Sequence, residues 1–274
     1  MTATTLPAFT PLENSLWVTL CARALDYRSA RPILGDAAAD RIVRTLDYDY
    51  RSLTIDPNMR VSAALRAKKL DEVTAGFIAR HPDAVVLDLG AGLDTRHTRI
   101  EVPDTVDWYD VDLPAVAAAR ERLVPARPHA HVIGADVRTE DWLTAVPTDR
   151  PALVVADGLM GFLTKPELVA LWNRLISHFP GGELVFNSYS RSVVWLTRHT
   201  PGTRSVADLI RFPGMDDPRE PERWNPRLRL VREILLSREP EVAEFPWVWR
   251  LYHRLAARSL TWSRRGTVVL HYRF

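Results

Sequence analysis

From residue 59 to residue 187 the sequence switches repeatedly between two hydrophobic periods, and this alternation restricts the fold more than any other feature. Met59 to Arg80 places Val61, Leu65, Val73 and Phe77 on one helical face. Five short apolar runs follow: AVVLDL (84–89), VDWYDVDL (106–113), HVIGAD (131–136), ALVVAD (152–157) and ELVFN (183–187). Helix signals lie between them. Pro114 opens PAVAAARERL, and Thr164-Lys165-Pro166-Glu167 is a capping box ahead of Leu168, Leu171, Trp172, Leu175 and Phe179. Apolar strands alternating with helices build a parallel sheet covered on both faces. The expected fold is therefore α/β, a three-layer sandwich.

The two ends depart from this pattern. Residues 1–58 read as helical and irregular, an N-terminal lid ahead of an α/β domain over 59–274. After the fifth strand, a proline-rich stretch at about 195–225 is too long and broken for a simple crossover and reads as a cap insertion. RLRLVREILL, an aromatic amphipathic helix at about 246–260 and GTVVLHYRF then give two late strands around one helix. That arrangement suits a sheet with a reversed edge.

Composition narrows the function classes. A formal net charge of +2 over 274 residues announces neither a nucleic-acid nor a membrane partner. One cysteine, Cys21, allows no intramolecular disulfide and fits a reducing compartment. No apolar run approaches the length of a membrane span, and MTATTLPAFTPLENS has no basic region before an apolar core. The expectation is a cytoplasmic protein with a small-molecule partner and no metal site.

In open α/β sheets, ligands bind beyond the carboxyl ends of the strands. After the first strand, Gly90-Ala91-Gly92 lets the backbone approach a ligand closely. A dinucleotide turn would place a third glycine at 95, where Thr95 stands, and Asp94 adds negative charge where phosphates would sit. Both argue against a pyrophosphate. Asp110 and Asp112 end the second strand about 20 residues on, the position of an acid that accepts ribose hydroxyls, and Asp112 lies nearer the end. Ala135-Asp136-Val137 follows the third strand and suits an adenine edge; Ala156-Asp157-Gly158 follows the fourth. Each acid has a plain alternative as a helix cap. Ribose, adenine, no phosphate and tolerance of nearby acids together describe S-adenosylmethionine (SAM), with Arg66 a candidate partner for its carboxylate.

LGAGLDTR (89–96), YDVDLP (109–114), GADVRTEDW (134–142) and ADGLMGFL (156–163) resemble the leucine carboxyl methyltransferase family. The likeness is to its bacterial branch of small-molecule O-methyltransferases, the tetracenomycin carboxyl methyltransferase type. RALDYRSARPILGDAAA (23–39) and RAKKLD (66–71) extend it to roughly residues 16–190. The resemblance implies a SAM-methyltransferase fold of seven strands with the last antiparallel. It implies Arg66 for the methionine carboxylate and Asp157 for the methionine end. It implies Gly90, Ala91 and Gly92 for the close backbone, Asp112 and Leu113 for the ribose, and Asp136 and Val137 for the adenine. This chain has Asp157 where the family usually has glutamate, and Phe162 where it has tyrosine.

The acceptor is less legible. A carboxylic acid is ionised at neutral pH and needs no general base, whereas a phenol benefits from one. No base stands out; Tyr189, Arg191 and His199 are the candidates near the fifth strand. The reading therefore favours a carboxylate ahead of a phenol on a polyketide-like metabolite. Trp17, Met160, Phe162, Tyr189, Trp195, Phe212 and Trp224 are the candidate pocket. Two other readings stay open. Arg250, Arg254 and Arg258 lie four apart on a helix, as in a protein or RNA methyltransferase, and a SAM-fold protein without methyl transfer is the second.

Overall fold

A computed structural model describes residues 9–46, 53, 55–199 and 207–274. Its centre is a seven-stranded sheet: β1 (Val85–Leu89), β2 (Asp107–Asp112), β3 (Ala130–Gly134), β4 (Ala152–Ala156), β5 (Gly182–Tyr189), β6 (Arg229–Leu235) and β7 (Thr267–Arg273). The strands lie in the order β3-β2-β1-β4-β5-β7-β6. The first five run parallel, and β7 runs antiparallel between β5 and β6. The reversed strand expected at the end of the chain is present, and it sits inside the sheet rather than at its edge.

Alternate side chains of each strand feed two cores. Val85, Leu87, Leu89, Val154 and Phe186 meet Leu168, Leu171, Trp172 and Leu175 of α5 (Lys165–His178). Val86, Leu153, Val155 and Val185 meet Val61, Leu65, Leu70 and Phe77 of α3 (Pro57–Arg80). The Thr164–Glu167 box caps α5 reciprocally. β1 and β4 are buried along their whole length, as expected for strands covered on both faces.

The N-terminal helices α1 (Leu16–Tyr27) and α2 (Ala37–Thr45) bury Leu20, Cys21 and Ile42 together with Leu93, Val116 and Val124. They therefore share a core with the turn after β1 and with α4 (Pro114–Leu123). Beyond β5, α6 (Arg191–His199) opens the insertion. The aromatic segment before β7 forms α7 (Trp247–Ala256) and then a separate short helix, α8 (Leu260–Arg264), capped by Ser259.

The chain leaves β1 toward β2 and β3, then returns to β4 on the other side. In α/β sheets, ligands bind beyond the carboxyl ends of the strands at such a reversal, here those of β1 and β4.

Candidate functional site

The glycine turn stands at that reversal. Gly90 has φ +64° and Gly92 φ +50°, both in the left-handed region where a Cβ is strained. A Cβ on Gly90 would also lie 3.2 Å from Leu159 Cδ1. The Gly90 N–H donates to the Val111 carbonyl (2.8 Å), fastening the turn to the end of β2. From beneath, Arg120 of α4 donates to the carbonyls of Gly92 (3.1 Å) and Asp94 (2.6 Å) and pairs with Asp110 (2.7 Å). Asp110 is thus spent on structure, and its indole neighbour Trp108 also donates to it.

Only a short 3-10 turn, Arg96–Thr98, follows the glycines, so no α-helix points its N-terminus at a ligand there. The residues after the turn join a buried ionic network instead. Arg96 binds Asp71 (2.8 Å), Asp88 (2.6 Å) and Asp94 (3.1 Å). Arg99 binds Asp71, Asp94 and Asp36, and Asp36 also takes Arg23 (2.9 Å) and the Thr95 hydroxyl (2.6 Å). Burial works against the charge on Asp94, and Arg99 and Arg96 outweigh it, holding its carboxyl well below the usual range. Neither Thr95 nor Asp94 faces a phosphate; both lock α1 and α2 onto the turn.

At the end of β2, Asp112 accepts the N–H of Gly92 (2.7 Å) and of Leu113 (2.7 Å). Burial pushes its carboxyl up, partly offset by those two donors. Two of its roughly four lone-pair positions remain, which is the capacity for a vicinal diol. Asp136, after β3, is half-buried and clasped by Arg138. Val137 is buried, and its carbonyl takes Arg174.

Arg66 of α3 meets Asp157 after β4 (Nε to Oδ1 2.5 Å) and donates to the Tyr189 hydroxyl at the end of β5 (2.7 Å). Arg66 is 8% exposed. Burial opposes its charge, but Asp157 and Tyr189 raise its pKa further than burial lowers it. Arg66 Nε and Asp157 Oδ1 touch without hydrogen-bond geometry, so both are buried polar atoms with unmet capacity. Asn187 of β5, which the sequence reading did not single out, accepts the Gly158 N–H (2.6 Å) while its own Nδ2 has no partner. A buried amide in an otherwise apolar strand is the signal that would have found it.

The proposed pocket residues are not gathered in one place. Trp17 belongs to the N-terminal cluster, whereas Met160 and Phe212 are buried in the α5-side core. Phe162 and Trp224 are half-buried, and Trp195 is 60% exposed on α6. Some of these aromatics fill separate cores and Trp195 stands in solvent, so their abundance did not mark a cavity. The insertion does reach the site's rim. Arg211 and Phe212 donate to the Gly161 carbonyl, and Met215 donates to that of Tyr189 (2.9 Å). Of the catalytic candidates, Tyr189 alone stands against the Arg66–Asp157 pair; Arg191 is exposed, and His199 stacks on Trp195 with Nδ1 against the Trp195 carbonyl.

Solved structures share this seven-stranded fold. A SAM-dependent methyltransferase from Mesorhizobium loti superposes with a TM-score of 0.53 at 14% identity, covering 78% of this chain and all of the other. A structure from Thermobifida fusca gives 0.54 at 19% identity over 92% of this chain and 93% of its own. The leucine carboxyl methyltransferase profile matches residues 17–176, and this chain belongs to that family. It is 42% identical over 236 residues to the tetracenomycin polyketide synthesis O-methyltransferase TcmP of Streptomyces glaucescens, covering 86% of this chain and 87% of TcmP. It is 30% identical over 269 residues to the SAM-dependent methyltransferase dpfgK of Gibberella zeae, covering 90% of each. The chain is a SAM-dependent methyltransferase. Among the described residues, no helix is long and apolar enough to cross a membrane.

Proposed function

We propose that the protein methylates an oxygen of a small polyketide-like acceptor, a carboxylate ahead of a phenol. SAM supplies an activated methyl group for an in-line displacement, and the protein supplies position. The residues fit that group. Asp112 keeps two acceptor positions for ribose hydroxyls, and the left-handed Gly90–Gly92 turn leaves no side chain against the ligand. Arg66 has a guanidinium edge for the methionine carboxylate, and Asp157 has an unmet oxygen for the α-amino group. Asp136 would meet the adenine amine with Val137 lining the ring, Asp136 being shared with Arg138. The helices of residues 1–58 would cover the turn, and the insertion would close the side of Tyr189.

One observation carries the preference for a carboxylate. Of the catalytic candidates, only Tyr189 stands beside the Arg66–Asp157 pair, and His199 lies apart on α6, stacked on exposed Trp195. Tyr189, whose oxygen accepts from Arg66, still has its own O–H to orient an acceptor oxygen. An acceptor that is already ionised suits such a site. The likeness to TcmP supports the polyketide class.

The test is an acceptor panel of aromatic acids, each paired with its carboxamide and with its phenol-blocked analogue, incubated with methyl-labelled SAM. The expected product is a methyl ester that mild alkali hydrolyses, formed at a rate that stays flat from pH 6 to 9. A base-stable aryl ether, formed at a rate that climbs with pH, would reject the carboxylate in favour of the phenol.

A further inference from the structure

Helices α7 and α8 turn an unpartnered apolar face outward. Trp247 (70% exposed), Val248, Leu251 (53%) and Leu255 lie along the solvent side of α7, and Leu260 and Trp262 carry the surface into α8. The inner side of α7 is anchored by Ala256, which is buried, and by His253, which packs on Phe245. At 42–70% exposure, the six outward residues together present on the order of 600 Å². That is the size of the largest apolar patch on an ordinary monomer, which is often functional.

Charge decides what covers it. Residues 247–265 hold five arginines, and no acid follows Glu244. Arg264 is tied to Glu233, but among the described residues no carboxylate pairs with Arg250, Arg254 or Arg258. A second copy of the chain would set two such arginine rows against each other, which opposes self-association. Leucine, valine and tryptophan outward, with arginines along the flanks, are the chemistry of a helix lying in a lipid interface. We propose that α7–α8 docks the protein reversibly on anionic lipid surfaces, its apolar side chains entering the acyl boundary and its arginines meeting headgroup phosphates. The net charge of +2, averaged over the chain, conceals this local imbalance. α8 leads directly into β7, which begins at Thr267 opposite Tyr189, at the carboxyl end of β5.

The experiment is co-sedimentation of the full chain with phosphatidylcholine vesicles, and with vesicles that also contain phosphatidylglycerol, while tryptophan emission is followed. Capture and a blue shift are expected only with phosphatidylglycerol and are expected to fade at high salt. Both should be lost in the triple variant Trp247→Ser, Leu251→Ser, Leu255→Ser, and in Arg250→Glu, Arg254→Glu, Arg258→Glu. Each variant should keep wild-type affinity for S-adenosylhomocysteine (SAH), which shows that it is folded. No capture at low salt, or capture that survives both variants, overturns the proposal. A dimer in sedimentation velocity that the first variant splits, without vesicle capture, overturns it in favour of a second copy.

Discussion

Arg96 is fully buried and is surrounded by three carboxylates from three places in the chain. A methionine or leucine there would leave Asp88 without its ion pair, and Asp71 and Asp94 with Arg99 alone, in a low-dielectric interior. Removing one partner of a buried ionic cluster costs about 3–5 kcal/mol. For a chain of this size that lowers the melting temperature by roughly 10 °C, so Arg96→Leu should show a loss of that order by calorimetry. A shift within 2 °C would mean the cluster is solvated. Asp112 is the opposite case, because its carboxylate is fixed by two backbone donors at the end of β2 and retains acceptor capacity. Asp112→Asn keeps an acceptor for only one of the two backbone N–H groups and sets its amide nitrogen against the other, so the fold should stand with a melting temperature lowered by a few degrees. It should weaken SAH binding roughly 10- to 100-fold through the loss of charge-assisted hydrogen bonds. Isothermal titration beside a melting curve separates the two effects. At this scale the sequence was legible where one residue type had one use. Gly90, Gly92 and Asp112 fell at the turn and strand end that their chemistry requires. The ionic network was not legible, because Arg23, Asp36, Asp71 and Arg99 are far apart in sequence and each, read alone, resembles a solvated surface charge.

Elements were the most legible level, since hydrophobic period and capping are local. The alternation gave the strands and α3, α4 and α5 with only small shifts at their ends. What it could not give was the break between α7 and α8, which depends on Ser259 folding back to cap Trp262. How the elements are fastened to one another is also non-local. Glu183 of β5 takes Arg80 from the end of α3 (2.9 Å) and His271 from β7 (2.7 Å). Burial raises the Glu183 pKa, but His271 and Arg80 outweigh burial and bring it down to about 2. A carboxyl whose folded pKa is depressed stabilises the fold above its unfolded value near 4.5, and that contribution is lost as pH falls toward 2. The size is about 3 kcal/mol. Glu183→Gln should therefore be less stable than the parent at pH 6, and the gap should close as the pH approaches 2. Urea midpoints measured across that interval check it; a gap that stays constant with pH would remove Glu183 from the acid response.

Across the whole molecule, the turn after β1 serves two neighbours at once. On one side Gly90 and Gly92 lie at the carboxyl end of β1, and on the other Asp94, Thr95 and Arg99 hold Asp36 and, through it, α1 and α2. Leu16 of α1 also lies 3.7 Å from where a Gly92 Cβ would stand. A ligand that orders the turn must therefore also order the N-terminal helices, because the carboxylates that fix the turn are the ones that fix Arg23. Saturation with SAH at about 100 times its dissociation constant stabilises the folded state by about 2.7 kcal/mol, which raises the melting temperature by roughly 5–10 °C. The coupling predicts where that stabilisation appears. If SAH sits at the glycine turn as proposed, amide exchange should slow at residues 85–92 and also along α1. Arg23→Met removes the links from α1 to Asp36 (2.9 Å) and to the Leu93 carbonyl just past the glycines (2.8 Å) while leaving the β1 ladder itself intact, so it should abolish the slowing in α1 and spare that in β1. Protection confined to residues 85–92 in the parent protein would show that the helical layer is docked to the turn without sensing what the turn holds.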